Sequence, residues 1–198
     1  MKMSTNDKEV RVITVGKLEL RSTDNKKTMV GYASVFNSMS QDMGFFERVM
    51  PGAFARAIKD NQDVRALFNH KEDLVLGRTK SGTLRLKEDN TGLQIECDLP
   101  DTTYSRDLQE CMSRGDIDQM SFSFRCLTDR WSMQDGKQVR DLMDLDLYDI
   151  SPVTFPAYTD TSVALRSLSK FQQVPNLDAM RRARLFLEKE KLKLEVNS

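Results

Sequence analysis

One histidine, three cysteines, five prolines and nine glycines are spread through 198 residues, and neither sign of charge is in excess, with 30 Lys+Arg against 30 Asp+Glu. Each scarcity excludes something. With His70 as the single imidazole, a mechanism that needs two histidines is ruled out. Cys97, Cys111 and Cys126 are odd in number and contain no CxxC pair, which speaks against a disulfide framework and a zinc ribbon and for thiols kept in a reducing cytosol. Zero net charge argues against a surface that neutralises many phosphates, so no nucleic-acid partner is expected. No window approaches eighteen uninterrupted apolar residues, and Met1–Val10 is polar and charged; the expectation is a chain that neither spans a membrane nor carries a standard export signal. Walker-type and GxGxxG loops are also missing.

What is present is a chain long enough for one domain with a full core, 39% hydrophobic, and rich in strand patterns. Val10–Leu20 predicts a strand, Ser22–Lys27 a turn, and Met29–Phe36 its hairpin partner. Pro51–Asp60 predicts a short helix with Phe54, Ala57 and Ile58 on one face. Asp63–His70 returns to period two, and Thr83–Lys87 with Leu93–Leu99 frame a second hairpin around Glu88–Gly92. Asp101–Arg114 predicts a helix ended by Gly115. Gln119–Trp131 and Gln138–Tyr148 predict two strands about a Gln134-Asp135-Gly136 turn. The composition changes near Leu168: Ser167–Pro175 reads as linker, and Asn176–Glu195 as a basic helix with a thin apolar stripe. The chain is therefore divided into residues 1–168 and a tail, 169–198.

Three features could carry chemistry. Strand parity in Val64–His70 puts His70 at the end of an apolar row with Val64, Ala66 and Phe68; such a residue is either a satisfied strand-end histidine or a general base. In Met120-Ser121-Phe122-Ser123-Phe124, alternation sends Met120, Phe122, Phe124 and Cys126 one way and Ser121, Ser123 and Arg125 the other; periodicity alone does not separate the two serines. In Asp141–Ile150, Asp149 falls on the face of Leu145 and Leu147, out of phase with Asp144 and Asp146. Either a bulge or a strand end at Tyr148 returns it to water, or it is a carboxylate that needs a partner, such as an imidazole to orient. A Cys/His pair through Cys126 or Cys111 is chemically open, but buried structural cysteine is the commoner fate.

Several segments, in order, resemble the prohead (capsid maturation) serine proteases of tailed bacteriophages, the HK97-type family related to herpesvirus assemblin. They are Gly31–Phe36, Val49–Phe54, Leu67–His70, Met120–Phe124 and Ile150–Tyr158, spanning roughly residues 10 to 168. The resemblance implies a serine endopeptidase with His70 as base and Ser121 as nucleophile. It implies Asp149 as the third member, with Asp146 as the nearest rival, and it requires no cofactor or metal. Family members usually carry glycine where this chain has Ser123, so a second hydroxyl stands near the first. Arg125 is the guess for the oxyanion neighbourhood. The implied fold is α+β: a small, mostly antiparallel β-barrel surrounded by helices, herpesvirus-protease-like, with the C-terminal helical tail outside it. The implied partners are the major capsid protein with its scaffolding region or a separate scaffold protein, the portal, and further copies of this chain. The implied place is the assembling procapsid in the host cytoplasm, with the tail as a removable arm. The rival reading is a catalytically inactive capsid-assembly or scaffold protein on the same barrel.

Overall fold

A computed structural model of the chain describes residues 8–13, 18–23, 26–155, 164, 168–169 and 172. Among the described residues strands dominate, at 56%. In chain order the elements are β1 (Glu9–Ile13), β2 (Glu19–Thr23), β3 (Lys26–Val35), β4 (Phe46–Val49), α1 (Ala55–Lys59), β5 (Arg65–Phe68), β6 (Lys71–Arg78), β7 (Leu84–Glu88), β8 (Gly92–Asp98), α2 (Thr103–Arg114), β9 (Gln119–Gln134) and β10 (Lys137–Val153). The strands form two sheets, one ordered β1-β9-β10-β5-β6 with β4 also on β10, the other β2-β3-β8-β7. Pairing is antiparallel except where β10 meets β4 and β5. The fold includes a sheet curled into a half-barrel.

β9 and β10 set the frame. Asp135 and Gly136 both take positive φ, 50° and 75°, and close the two long strands with a two-residue turn whose twist suits the hairpin. Alternation on β9 buries Met120, Phe122 and Phe124, and β10 answers with Leu142, Leu145, Leu147 and Ile150. Phe122 lies at the centre, edge-on to Phe54 at 5.8 Å and stacked on Phe124 at 5.1 Å. Phe54 is brought there by the Pro51–Ala53 turn that leads into α1. The amphipathic α2 adds Leu108 and Met112 to the same core and ends at Gly115, whose φ of 80° is the left-handed conformation of a helix C-terminus.

The expected elements are corrected in four places. Val10–Leu20 is two strands, β1 and β2, in different sheets. β4 and β6 were not expected: β4 is four residues long, and β6 opens with Lys71-Glu72-Asp73, too polar to signal a strand. His70 is not a strand residue, because β5 ends at Phe68 and Asn69–His70 form the turn into β6. Among the described residues the helices are α1, α2 and isolated positions near 164–172, so the implied surround of helices is not among them. The helical tail at Asn176–Glu195 lies outside the described residues. The chain divides into two units, Met1–Val163 and Ala164–Ser198. Among the described residues no helix is long and apolar enough to cross a membrane.

Because Phe122 is fully buried among aromatic rings, truncating it leaves a cavity that neighbouring rings cannot fill. Phe122→Ala should lower the unfolding free energy by about 3–5 kcal/mol, read from urea denaturation; a loss below about 1 kcal/mol would contradict this packing.

Candidate active site

On β9 the polar face carries Ser121 and Ser123, as alternation predicts. The opposing β10 residues are Ser151 and Asp149: the register pairs Ser151 with Ser121 and Asp149 with Ser123. Asp149 reaches this face through an irregularity. Between Leu147, opposite Phe124, and Asp149, opposite Ser123, β10 holds the extra residue Tyr148. That bulge reverses the parity, so Leu147 faces the core and Asp149 faces the serines. The bulge alternative was thus right about the backbone, but it does not return the carboxylate to water: Asp149 is 3% exposed.

His70 arrives from β5, which runs parallel to β10 with Arg65 opposite Asp149 and Ala66 opposite Ile150. The chain then turns at Asn69 and His70, both at positive φ (54° and 56°), a conformation unusual for histidine. Asn69 holds the turn. Its N–H donates to the Pro152 carbonyl at 3.1 Å, its Oδ1 accepts from the Thr154 N–H at 2.9 Å, and its Nδ2 donates to Thr154 Oγ1 at 3.2 Å. The His70 N–H donates to Ser151 Oγ at 3.2 Å. A left-handed pair clamped to β10 in this way fixes the ring against the sheet.

The ring bridges the two strands. Nδ1 is 2.5 Å from Asp149 Oδ1, and Nε2 is 2.6 Å from Ser121 Oγ. A hydrogen on Nδ1 directed at the carboxylate leaves Nε2 as the acceptor facing the hydroxyl, the arrangement a general base needs. Asp149 is itself held at several points: Ser151 Oγ donates to Oδ1 at 3.2 Å, Lys8 Nζ to Oδ2 at 3.2 Å, and Ser123 Oγ makes a short bond to Oδ2. Burial raises the pKa of Asp149, but hydrogen bonds from His70 and Ser123 and the charges of His70 and Lys8 outweigh it, bringing the carboxyl down to about 2.

The other candidates lie elsewhere. Asp146 is tied to Arg56 at 2.7 Å, to Gln62 at 2.5 Å and, in a short contact, to Arg125, so the rival acid and the guessed oxyanion residue are paired with each other. Burial pushes the Cys97 and Cys126 thiols up to about 12, which removes thiolate character near neutral pH. No group of three or more His, Cys, Asp or Glu residues suits a metal among the described residues. Ser151, Asn69 and Lys8 were missed. Ser151 had a signal, since it stands two residues after Asp149 and so shares its face; Asn69 had one in the Leu67–His70 segment that carries the resemblance; Lys8 had none.

A carboxyl whose folded pKa lies below its unfolded value adds stability above the unfolded pKa, and this is lost as pH falls toward the folded one. Relative to Asp149→Asn, the native protein should therefore lose on the order of 2 kcal/mol between pH 5 and pH 2. Urea midpoints of both proteins across that range check this, and a constant difference would contradict the bonding described for Asp149.

Over residues 16–175 the sequence matches the family described as caudovirus prohead serine protease. No curated protein matches. Among solved structures, the chain is similar to the bacteriophage T4 capsid assembly protease, gp21, with a TM-score of 0.48 and 8% identity over 75% of this chain and 99% of that one. With most of its length inside the family match, the chain belongs to the caudovirus prohead serine proteases.

Proposed function

We propose that this protein is a serine endopeptidase of procapsid maturation, with Ser121 as nucleophile, His70 as general base and Asp149 as the carboxylate that orients the ring. The observation that carries the reading is the series Ser121 Oγ, His70 Nε2, His70 Nδ1, Asp149 Oδ1, in contacts of 2.6 and 2.5 Å between β9, the Asn69–His70 turn and β10. His70 Nε2 takes the hydroxyl proton as Ser121 Oγ attacks a peptide carbonyl carbon. Asp149 stabilises the imidazolium, which then protonates the leaving amine; water repeats the cycle on the acyl-enzyme. Ser123 donates to Asp149, and Ser151 links that carboxylate to the His70 backbone, so both are positioning residues. The family points to the scaffolding region of the capsid protein, or a separate scaffold, as substrate, with the chain's own tail as a further one. Portal and other copies of the chain are the remaining partners in this reading, and the procapsid interior is its place of action.

The test is co-expression with capsid and scaffold proteins, with fragments read by intact mass. Ser121→Ala and His70→Ala should each reduce processing by a factor on the order of 10³ or more, and Asp149→Asn by a comparable factor. Ser123→Ala should retain processing at a rate lowered roughly tenfold, since it removes one bond to the carboxylate and no reacting atom. Processing that survives Ser121→Ala would overturn the assignment. Intact shells without fragments in the native protein would favour the inactive assembly-factor reading.

A further inference from the structure

Among the described residues β1 is the edge strand of its sheet and pairs with β9 alone, antiparallel, with Arg11 opposite Phe122 and Val12 opposite Ser121. It brings a peptide carbonyl to the serine: Ser121 Oγ donates to the Arg11 carbonyl oxygen at 2.9 Å. Lys8, the residue just before it, reaches the carboxylate. Under it Ser121 is 0% exposed, so no second peptide can meet the hydroxyl while β1 is in place.

The side chains of β1 are seated as well as its backbone. Glu9 and Arg11 point inward and meet Glu47 of β4 and Arg140 of β10. Arg140 Nη1 lies 2.8 Å from Glu9 and 2.9 Å from Glu47, and Arg11 bonds Glu47 at 2.7 Å and Glu9 at 2.6 Å. The four charges cancel. Withdrawing Glu9 and Arg11 together leaves Glu47 on Arg140, so this pocket can empty without stranding a lone buried ion.

The hydroxyl hydrogen decides what β1 does to the site. Ser121 has one, and its oxygen lies 2.6 Å from His70 Nε2 and 2.9 Å from the Arg11 carbonyl oxygen, so the carbonyl competes with the base for it. A proton held by a carbonyl is not available to a base.

We propose that the outer edge of β9 is the peptide-binding edge of this site and that β1 is its resident competitor, an extended segment of the same chain lying where a substrate strand would pair. The inference rests on the reading of Ser121 as nucleophile. The ligand class is an extended peptide that adds an antiparallel strand to β9, sets a carbonyl at Ser121, and presents an acidic side chain in the place of Glu9 and a basic one in the place of Arg11. Tethering gives β1 an effective concentration in the millimolar range, so a free peptide competes poorly until β1 lets go.

The experiment uses the full chain with residues 14–17 replaced by a recognition sequence for a site-specific protease, cut after folding. The readout is the rate at which a fluorophosphonate labels Ser121, located by peptide mass. Cutting and dialysis should raise that rate at least about tenfold, because the tether is lost. Synthetic Lys8–Ile13 peptide should restore the slow rate, and the same peptide carrying Glu9→Gln should be needed at several-fold higher concentration. Equal rates before and after loss of the fragment would overturn the proposal while leaving Ser121 as nucleophile. Labelling at Ser123 or a cysteine in both forms would overturn the nucleophile assignment itself. Should the cut chain unfold, the uncut Arg11→Ala protein decides: KM for a capsid-derived peptide should fall several-fold at unchanged kcat, and an unchanged or higher KM would sink the idea.

Discussion

Everything in the site depends on how β10 lies against β9. Strand pairing normally enforces a period of two, and a one-residue slip moves every later side chain to the opposite face. Here the slip is built in at Tyr148. Up to Leu147 the strand supplies leucines to the core that Phe122 and Phe124 share; after it, Asp149 and Ser151 stand opposite Ser123 and Ser121. Without the extra residue Asp149 would be driven among the phenylalanines, where an ion is costly, and the serines would face apolar side chains. One irregularity thus separates a hydrophobic layer from a polar one along a single pair of strands.

The second constraint is the Asn69–His70 turn. A histidine in the left-handed region costs free energy that a turn rich in glycine would not, and the surrounding bonds offset it: Asn69 ties the turn to Pro152 and Thr154, and the His70 N–H is taken by Ser151. Those partners all lie on β10 or just after it, and β10 also supplies the carboxylate. The ring, its acid and its backbone anchor therefore move as one body, and only Ser121 comes from the neighbouring strand. Geometry of this kind preserves the short contacts on both ring nitrogens without relying on a flexible loop.

Much of this is legible in the residues. Alternation put Ser121 and Ser123 on one face and the aromatic residues on the other; Asp135-Gly136 marked the hairpin, and Gly115 the end of α2. The out-of-phase Asp149 was the most informative position: the bulge is there, but the carboxylate stays buried and meets the imidazole instead of water. The other parts depend on distant residues. That His70 sits in a turn follows from β6 pairing back on β5, and β6 begins with three charged residues that give no strand signal. That Asp146 is spent on Arg56, Gln62 and Arg125 follows from where α1 packs. Alternation could not choose between Ser121 and Ser123 because it records faces and not distances. The choice needed the resemblance, and the reach of Nε2 to Ser121 now supplies an independent reason for it.

The buried charges beneath β1 bear on the same chemistry. A strand held by apolar burial is released only by exposing that surface to water, at about 25 cal/mol per Å². A strand held by ion pairs is different, because on release the ions regain hydration that largely compensates their lost mutual attraction. Glu9 and Arg11 fix the register of β1, since a shift of one residue would leave Arg140 and Glu47 unmatched, but they bind it less firmly than leucines in the same places would. Charged side chains at those two positions therefore combine a defined register with a modest cost of departure, the combination that suits a segment able to sit on the serine and to leave it.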